Sequence, residues 1–149
     1  MKRKILELLA LCFLTLALPF AGFAQSRDRD HPKPMRSSEL KGDLGSGEES
    51  FHSFVAGPGE VKITVDVEST DGTAVLEFEL LDKDAANKII CCEFAQADSA
   101  GQSGRTIKAT KLARSQTVVL HLTRTKGGRG VYRVRVDGAV SFRDPEGDR

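Results

Sequence analysis

Apolar and polar residues alternate with a period of two along four stretches between residues 61 and 136. In the first stretch the apolar positions are Val61, Ile63, Val65 and Val67, and the residues between them are polar. The same alternation runs through residues 74–81, 118–123 and 131–136. Because successive side chains of a strand point to opposite faces of a sheet, this pattern predicts antiparallel strands with one buried and one solvated face.

Four weaker strands complete the predicted sheet structure, at residues 50–55, 88–95, 105–113 and 139–142. Glycine-containing turn signals separate the runs, at Gly57-Pro58-Gly59, Thr70-Asp71-Gly72, residues 101–104 and Lys126-Gly127-Gly128. No stretch has a convincing helical period. About eight short strands with turns at this spacing predict an all-β fold. The favoured architecture is an antiparallel β-sandwich of jelly-roll type, with a closed barrel as the alternative.

The first 24 residues have the pattern of a secretory signal peptide. Three basic residues at positions 2–4 precede an uncharged, leucine-rich run that ends before Pro19, and small residues at positions 21–24 precede a cleavage site before Gln25. A retained membrane anchor is the alternative, but a spanning helix needs about 20 apolar residues and Pro19 ends this run early. The sequence therefore predicts a secreted or periplasmic protein with no membrane span after cleavage.

Polar segments flank the predicted domain. Residues 25–48 are rich in charged residues, serine, glycine and proline, and such a stretch buries too little apolar surface to offset its ordering entropy. We predict a flexible linker there, with a short edge strand at residues 37–44 as an option. The β-sandwich domain is expected to span residues 49–143, and residues 144–149 form a polar tail.

The charge balance excludes one class of partner. The whole chain has 22 basic and 21 acidic residues, and without residues 1–24 these become 19 and 20, a net charge of −1. A near-neutral chain with scattered basic residues is not attracted in general to nucleic acid, so nucleic-acid binding is not expected. A local exception is a strip of outward-facing basic residues suited to acidic glycans, although such a row is more often a solvated face: Lys62, Arg133, Arg135 and Arg143.

Two cysteines remain after signal cleavage, and they are adjacent: Cys91 and Cys92. Strand parity predicts that Cys92 faces the core with Ile90 and Phe94, and that Cys91 points outward. On that basis one thiol is buried and the other lies on the surface. The alternatives are a disulfide between Cys91 and Cys92, which needs a turn at the pair, and a dimer linked through Cys91.

Candidate metal ligands are few. Asp66 and Glu68 share the polar face of one strand and Asp71 follows on the turn, so these three residues form a candidate calcium site. Equally, Asp71-Gly72 is an ordinary turn dipeptide. His52 and His121 lie on separate predicted strands and are expected to be unrelated surface histidines. No Gly-x-Ser-x-Gly motif leads into a helix, and no other catalytic constellation is present, so we predict that the protein is not an enzyme.

Three segments in order resemble the bacterial pre-peptidase C-terminal domain, a β-sandwich appended to secreted proteases and other exported enzymes. They are Phe51-x-x-Phe54-x-Ala56-Gly57-x-Gly59 with the strand that follows it, Ala74-x-Leu76-x-Phe78-x-Leu80-Leu81-Asp82, and Gly130-Val131-Tyr132-x-Val134-x-Val136-x-Gly138. The resemblance covers about residues 50–142. It implies a noncatalytic extracytoplasmic binding module, and some similar modules bind carbohydrate or collagen with calcium.

The sequence therefore supports a noncatalytic secreted or periplasmic binding module whose partner is an envelope protein or a glycan. The lack of tryptophan and the core parity of Tyr132, the only tyrosine, count against sugar binding by ring stacking. The alternatives are a small envelope structural protein and an enzyme inhibitor, which would act through a flexible loop at residues 98–105. No cofactor is expected except calcium at the candidate site above.

Overall fold

A computed structural model describes residues 26–84 and 87–142 of the chain, and within these ranges it contains strands and no helix. There are eight strands, which confirms the predicted all-β class. They are β1 (Lys33–Pro34), β2 (Glu39–Leu44), β3 (Glu49–Glu68), β4 (Ala74–Asp82), β5 (Lys88–Ala97), β6 (Ser103–Leu112), β7 (Gln116–Lys126) and β8 (Gly130–Ser141). In this described part of the chain, no helix has the length and apolarity needed to cross a membrane.

Strand β3 is shared by the two layers of the sandwich. Its first half, residues 49–56, pairs with β7, and β4 and β5 follow β7 in the first layer. Its second half, residues 59–68, lies between β6 and β8 in the second layer, where β2 forms the far edge. Every strand pair is antiparallel except β1 with β3, which is parallel. A single long strand thus joins both sheets of the predicted sandwich.

The core lies between the layers and consists of the residues that the alternation marks as apolar. In the second half of β3 the buried positions are Val61, Ile63, Val65 and Val67, each fully buried. Residues 76, 78 and 80 of β4 and residues 132, 134 and 136 of β8 follow the same rule. Burial of each such side chain contributes about 1.5–3 kcal/mol, so this interior supplies the main driving force for folding.

The turn predicted at Gly57-Pro58-Gly59 is instead the point where β3 crosses between layers. Gly57 and Gly59 have positive φ values of 83° and 126°, and the Gly57–Pro58 peptide bond is cis. A Cβ atom on Gly57 would lie 2.3 Å from the carbonyl oxygen of Arg114, in the connection between β6 and β7. Glycine is needed there because the two chain segments approach too closely for a side chain.

The predicted flexible linker is wrong for much of its length, and the domain begins before residue 49. Residues 33–44 contribute β1 and β2, and β2 pairs with β8 over six residues. Met35 is 5% exposed and Leu44 is fully buried, so the segment is anchored in the core. The optional edge strand at residues 37–44 is therefore present. The predicted signal peptide, residues 1–24, and the tail, residues 144–149, lie outside the described residues.

Candidate functional site

Two polar surfaces stand out, one on the outer face of each layer. The first is a groove on the second layer, formed by rows of side chains that run across four strands. In one row Lys41, Arg133, Asp66 and Arg105 lie side by side, and in the next row Glu39, Arg135, Thr64 and Ile107 do. We call this surface the arginine groove.

The arginine groove has a volume of about 750 Å³, within the range of ligand-binding clefts. Arg105 holds the Asp66 carboxylate through two hydrogen bonds, of 2.7 and 3.2 Å. The side chains of Arg133 and Arg135 are 60% and 61% exposed. Arg133 lies 4.0 Å from Glu68 and Arg135 lies 3.3 Å from Asp137. Each guanidinium has this one ion pair among the described residues and retains free donors.

The three candidate calcium ligands have separate surroundings in the structure. Asp66 is paired with Arg105, and Glu68 lies near Arg133. Asp71 accepts a 3.3 Å hydrogen bond from the backbone of Gly128 in the β7–β8 turn. Among the described residues, these carboxylates do not form a group whose oxygens lie within coordination distance of one another. Calcium binding therefore stays a prediction from the sequence alone.

The second surface contains the adjacent cysteines, which the structure joins in a disulfide. The predicted parity is wrong for Cys92 and for Phe94, which is 49% exposed, whereas Cys91 is exposed as expected. The reason is a β-bulge, because the one residue of β4 between Phe78 and Leu80 opposes two residues of β5, Cys91 and Cys92. Cys92 takes a positive φ of 58°, which supplies the turn needed to bring both sulfur atoms to the same side.

Glu79 lies at the centre of this surface and is only 8% exposed. Its Oε1 atom lies 2.5 Å from Lys88 Nζ, 3.9 Å from Cys91 Sγ and 3.6 Å from Cys92 Sγ. Its Oε2 atom lies 3.3 Å from His121 Nδ1. We call these five residues the cysteine cluster.

The cluster favours the charged form of its carboxylate. Burial acts to raise the pKa of Glu79, but the hydrogen bonds with Lys88 and His121 and the charge of Lys88 outweigh it, so the pKa lies below its ordinary value. The negative charge at Glu79 is therefore stable in this half-enclosed position.

His121 lines a cleft together with two other residues of the cluster, Glu79 and Lys88. Its Nε2 atom lies 2.9 Å from Glu49 Oε2, and its ring stacks on Phe51 with centroids 4.4 Å apart. The cleft has a volume of about 340 Å³, and Leu81 and Arg29 form part of its wall. His121 is thus held in a fixed orientation by contacts on several sides.

Two further expectations are corrected by the structure. His52 is not a surface residue: it is 2% exposed, and burial together with the nearby charge of Lys33 lowers its pKa to about 4. The loop predicted at residues 98–105 is shorter, because β6 begins at Ser103. The segment proposed to carry an inhibitory loop is therefore partly a strand.

Glu79 and Lys88 were not singled out by sequence reasoning. Glu79 reads as an ordinary residue on the polar face of β4, and its partners come from β5 and β7. The one signal that could have drawn attention to Glu79 is that its strand, β4, pairs with the strand that contains the adjacent cysteines, β5.

Comparison with known proteins bears on the fold. No protein-family profile matches the chain, and no curated protein matches it significantly. Solved structures with a similar fold include the pre-peptidase C-terminal domain of a collagenase from Bacillus anthracis. It is 19% identical over 72% of this chain and 91% of that domain, with a TM-score of 0.45.

Two other solved structures are a carbohydrate binding module of a Cellvibrio mixtus lichenase in complex with cellotriose and a periplasmic inhibitor of g-type lysozyme from Aeromonas hydrophila. The first is 16% identical over 77% of this chain and 96% of the module, with a TM-score of 0.44. The second is 15% identical over 69% of this chain and 84% of the inhibitor, with a TM-score of 0.42.

The chain is an all-β sandwich domain of jelly-roll type. A pre-peptidase C-terminal domain, the family that its sequence resembles, is among the solved structures to which it is similar.

Proposed function

We propose that the protein is an exported, noncatalytic binding module that binds an acidic glycan in the arginine groove. The observation that carries the proposal is the pair of neighbouring, well-exposed guanidinium groups of Arg133 and Arg135 on the same face of β8. Guanidinium groups bind carboxylate and sulfate oxygens through two parallel hydrogen bonds, which favours an anionic ligand.

The charge of the groove supports this choice. Five basic residues and three acidic residues line it: Lys41, Lys62, Arg105, Arg133 and Arg135, with Glu39, Asp66 and Asp137. The excess of positive charge is local, since the whole chain is nearly neutral. A concave surface with one sign of excess charge raises the local concentration of the oppositely charged ligand.

The groove is better suited to a glycan than to a protein surface. Protein interfaces usually contain an apolar centre, whereas Ile107 is the one large apolar side chain of the groove that is more than half exposed among the described residues. Tyr132 is fully buried, so the ligand is not held by stacking on it. Ion pairs and hydrogen bonds would therefore supply most of the affinity.

The predicted signal peptide supports an extracytoplasmic location, where acidic polysaccharides are available as ligands. A module of this kind would catalyse no reaction. It would attach the protein, or a separate partner that it binds, to a polyanionic matrix.

The test is affinity electrophoresis of the purified protein in gels that contain polygalacturonate, with neutral dextran as the reference polymer. We expect retardation by polygalacturonate alone, and a weaker effect as salt rises, because exposed charges are screened. The double variant Arg133→Gln, Arg135→Gln should bind roughly tenfold more weakly or worse, since each charged hydrogen bond contributes about 1.5–3 kcal/mol.

Arg114→Gln is the matched control, because Arg114 lies in the β6–β7 connection outside the groove. Equal retardation by dextran, or a double variant that binds like the control, would show that the groove does not recognise acidic glycans. Binding that is lost on removal of copurified protein would instead identify a protein partner and contradict the proposal.

A further inference from the structure

The cysteine cluster lies on the outer face of the first layer, on the other side of the core from the arginine groove. We propose that reduction of the Cys91–Cys92 disulfide converts this cluster into a binding site for a thiophilic divalent cation such as zinc, with Cys91 Sγ, Cys92 Sγ and a Glu79 carboxylate oxygen as the three protein ligands. This inference does not depend on the function proposed for the groove.

Two of the three distances between donor atoms fit such a site, and the third, between the two sulfur atoms, is set by the disulfide and can open once that bond is broken. Among the described residues, these three side chains form the one group of three or more potential metal ligands whose donor atoms all lie within 4.8 Å of one another. The two sulfur atoms lie 3.6 and 3.9 Å from Glu79 Oε1. In tetrahedral zinc coordination, with Zn–S near 2.3 Å and Zn–O near 2.1 Å, the sulfur and oxygen ligands are about 3.6 Å apart.

The chemistry of the donor set selects the cation. Thiolates are soft ligands that prefer zinc and copper(I) to magnesium or calcium, and a buried carboxylate adds a third negative donor. His121 Nδ1 lies 3.3 Å from the second oxygen of Glu79, an arrangement that orients the carboxylate in the way that outer residues orient metal ligands. Water would complete the tetrahedron, because both cysteines are open to solvent.

Lys88 occupies part of the space now. Its ammonium group lies 2.5 Å from Glu79 Oε1 and 4.0 Å from Cys92 Sγ. The Lys88 side chain is 49% exposed, so it can turn towards solvent when a divalent cation takes over the neutralisation of the carboxylate. In the oxidised form, the negative charge of Glu79 is therefore neutralised by Lys88. In the reduced form, the bound metal ion would neutralise it.

The conversion is chemically complete with a dithiol as reductant. The dithiol gives two electrons and two protons to the Cys91–Cys92 bond, which breaks into two thiols, while a disulfide forms in the reductant. Binding of the cation then displaces both thiol protons, which are released to solvent. In the oxidised cluster neither Cys91 nor Cys92 has a thiolate to offer, so the metal affinity of this site follows the redox state of the pair.

The test compares zinc binding by the oxidised protein and by protein reduced with dithiothreitol, which is then removed without air. A Cys12→Ser background excludes the third cysteine of the chain. Competition with a chromophoric chelator should show one zinc ion bound by the reduced protein and an affinity at least about 100-fold weaker for the oxidised protein. Cobalt in place of zinc should give thiolate-to-metal charge-transfer absorption and the intense bands of tetrahedral coordination.

Glu79→Gln tests the carboxylate, with Glu77→Gln as its matched control on the same face of β4. Loss of a direct ligand should weaken zinc binding roughly tenfold or more, since loss of an outer residue already costs about that much. Circular dichroism checks that both variants fold, and the cobalt spectrum of the unsubstituted protein does not depend on either variant. Equal zinc affinity in the two redox states, absence of thiolate charge-transfer bands, or equal affinities of the two glutamine variants would overturn the proposal.

Discussion

Acidification is expected to destabilise the fold through the buried imidazole of His52. The ring lies on the inner side of β3, 2% exposed, and its Nε2 atom has no hydrogen-bond partner among the described residues. Burial, together with the charge of Lys33, lowers the pKa of His52 from 6.5 to about 4. The folded protein therefore keeps this histidine neutral at a pH where the unfolded chain binds a proton.

The sign and size of the change in stability with pH follow from proton linkage. A folded-state pKa below the unfolded value means that the unfolded chain binds more protons between about pH 6.5 and pH 4, so stability falls as the pH falls through that window. Between about pH 7.5 and pH 5, the loss from His52 is about 2 kcal/mol. For a domain of this size, the melting temperature should drop by roughly 6–10 °C from this cause.

The assay is urea unfolding at both pH values, for the unsubstituted protein and for His52→Leu, which cannot titrate. Every other titratable group is present in both proteins, so its contribution cancels in the difference. The carboxyl groups with lowered pKa, among them Glu48 and Glu79, lose their contribution at lower pH and also cancel. A loss of stability on acidification that is the same in His52→Leu would refute the assignment.

The remaining predictions concern single residues whose surroundings give a size for the effect, and both are measured by urea unfolding. Gly57→Ala should lower the free energy of unfolding by about 2 kcal/mol or more, because the new Cβ would lie 2.3 Å from the Arg114 carbonyl oxygen. Gly72→Ala, whose new Cβ would have no neighbour within 4 Å, should lower it by about 1 kcal/mol. Equal losses in the two variants would contradict the close approach at Gly57. Arg124→Ala should lower the free energy of unfolding by roughly 3 kcal/mol, because this fully buried side chain donates hydrogen bonds to two backbone carbonyl groups. The control is Arg114→Ala, at an exposed position, which should change the free energy of unfolding by less than about 0.5 kcal/mol. An Arg124 variant as stable as that control would contradict the role assigned to the buried guanidinium.

The all-β class and most of the core could be predicted because each layer has one face towards the interior. That geometry imposes a period of two on residues 61–67, 74–80 and 132–136, and the structure buries the apolar members. The limits of the strands were harder to predict. Gly57-Pro58-Gly59 carries the residues of a turn, but β3 continues through it, because β8 pairs with β3 on both sides of this point.

The N-terminal segment shows why local composition is insufficient at a sheet edge. Residues 33–44 are mostly polar, and apart from two deeply buried side chains, Met35 and Leu44, they depend on backbone hydrogen bonds to strands far along the chain. Without β2, one edge of β8 would be unpaired. That edge exists only in the folded sheet, so the sequence pattern of residues 33–44 does not indicate it. A polar segment can therefore be ordered when a partner strand offers its backbone groups.

The two candidate surfaces differ in how far the sequence could reveal them. Arg133 and Arg135 alternate with buried residues of β8, so their outward direction follows from parity, but Lys41 and Arg105 join them only through the strand register. For the cysteines, parity gives the wrong answer, because one extra residue in β5 turns Cys92 out of the core. The bulge places the pair beside a buried carboxylate instead of an apolar neighbour, and this displacement gives the outer face of the first layer its candidate chemistry. The bulge at Cys91 and Cys92 breaks the regular strand pattern. This irregularity is therefore more informative about function than the regular strands around it.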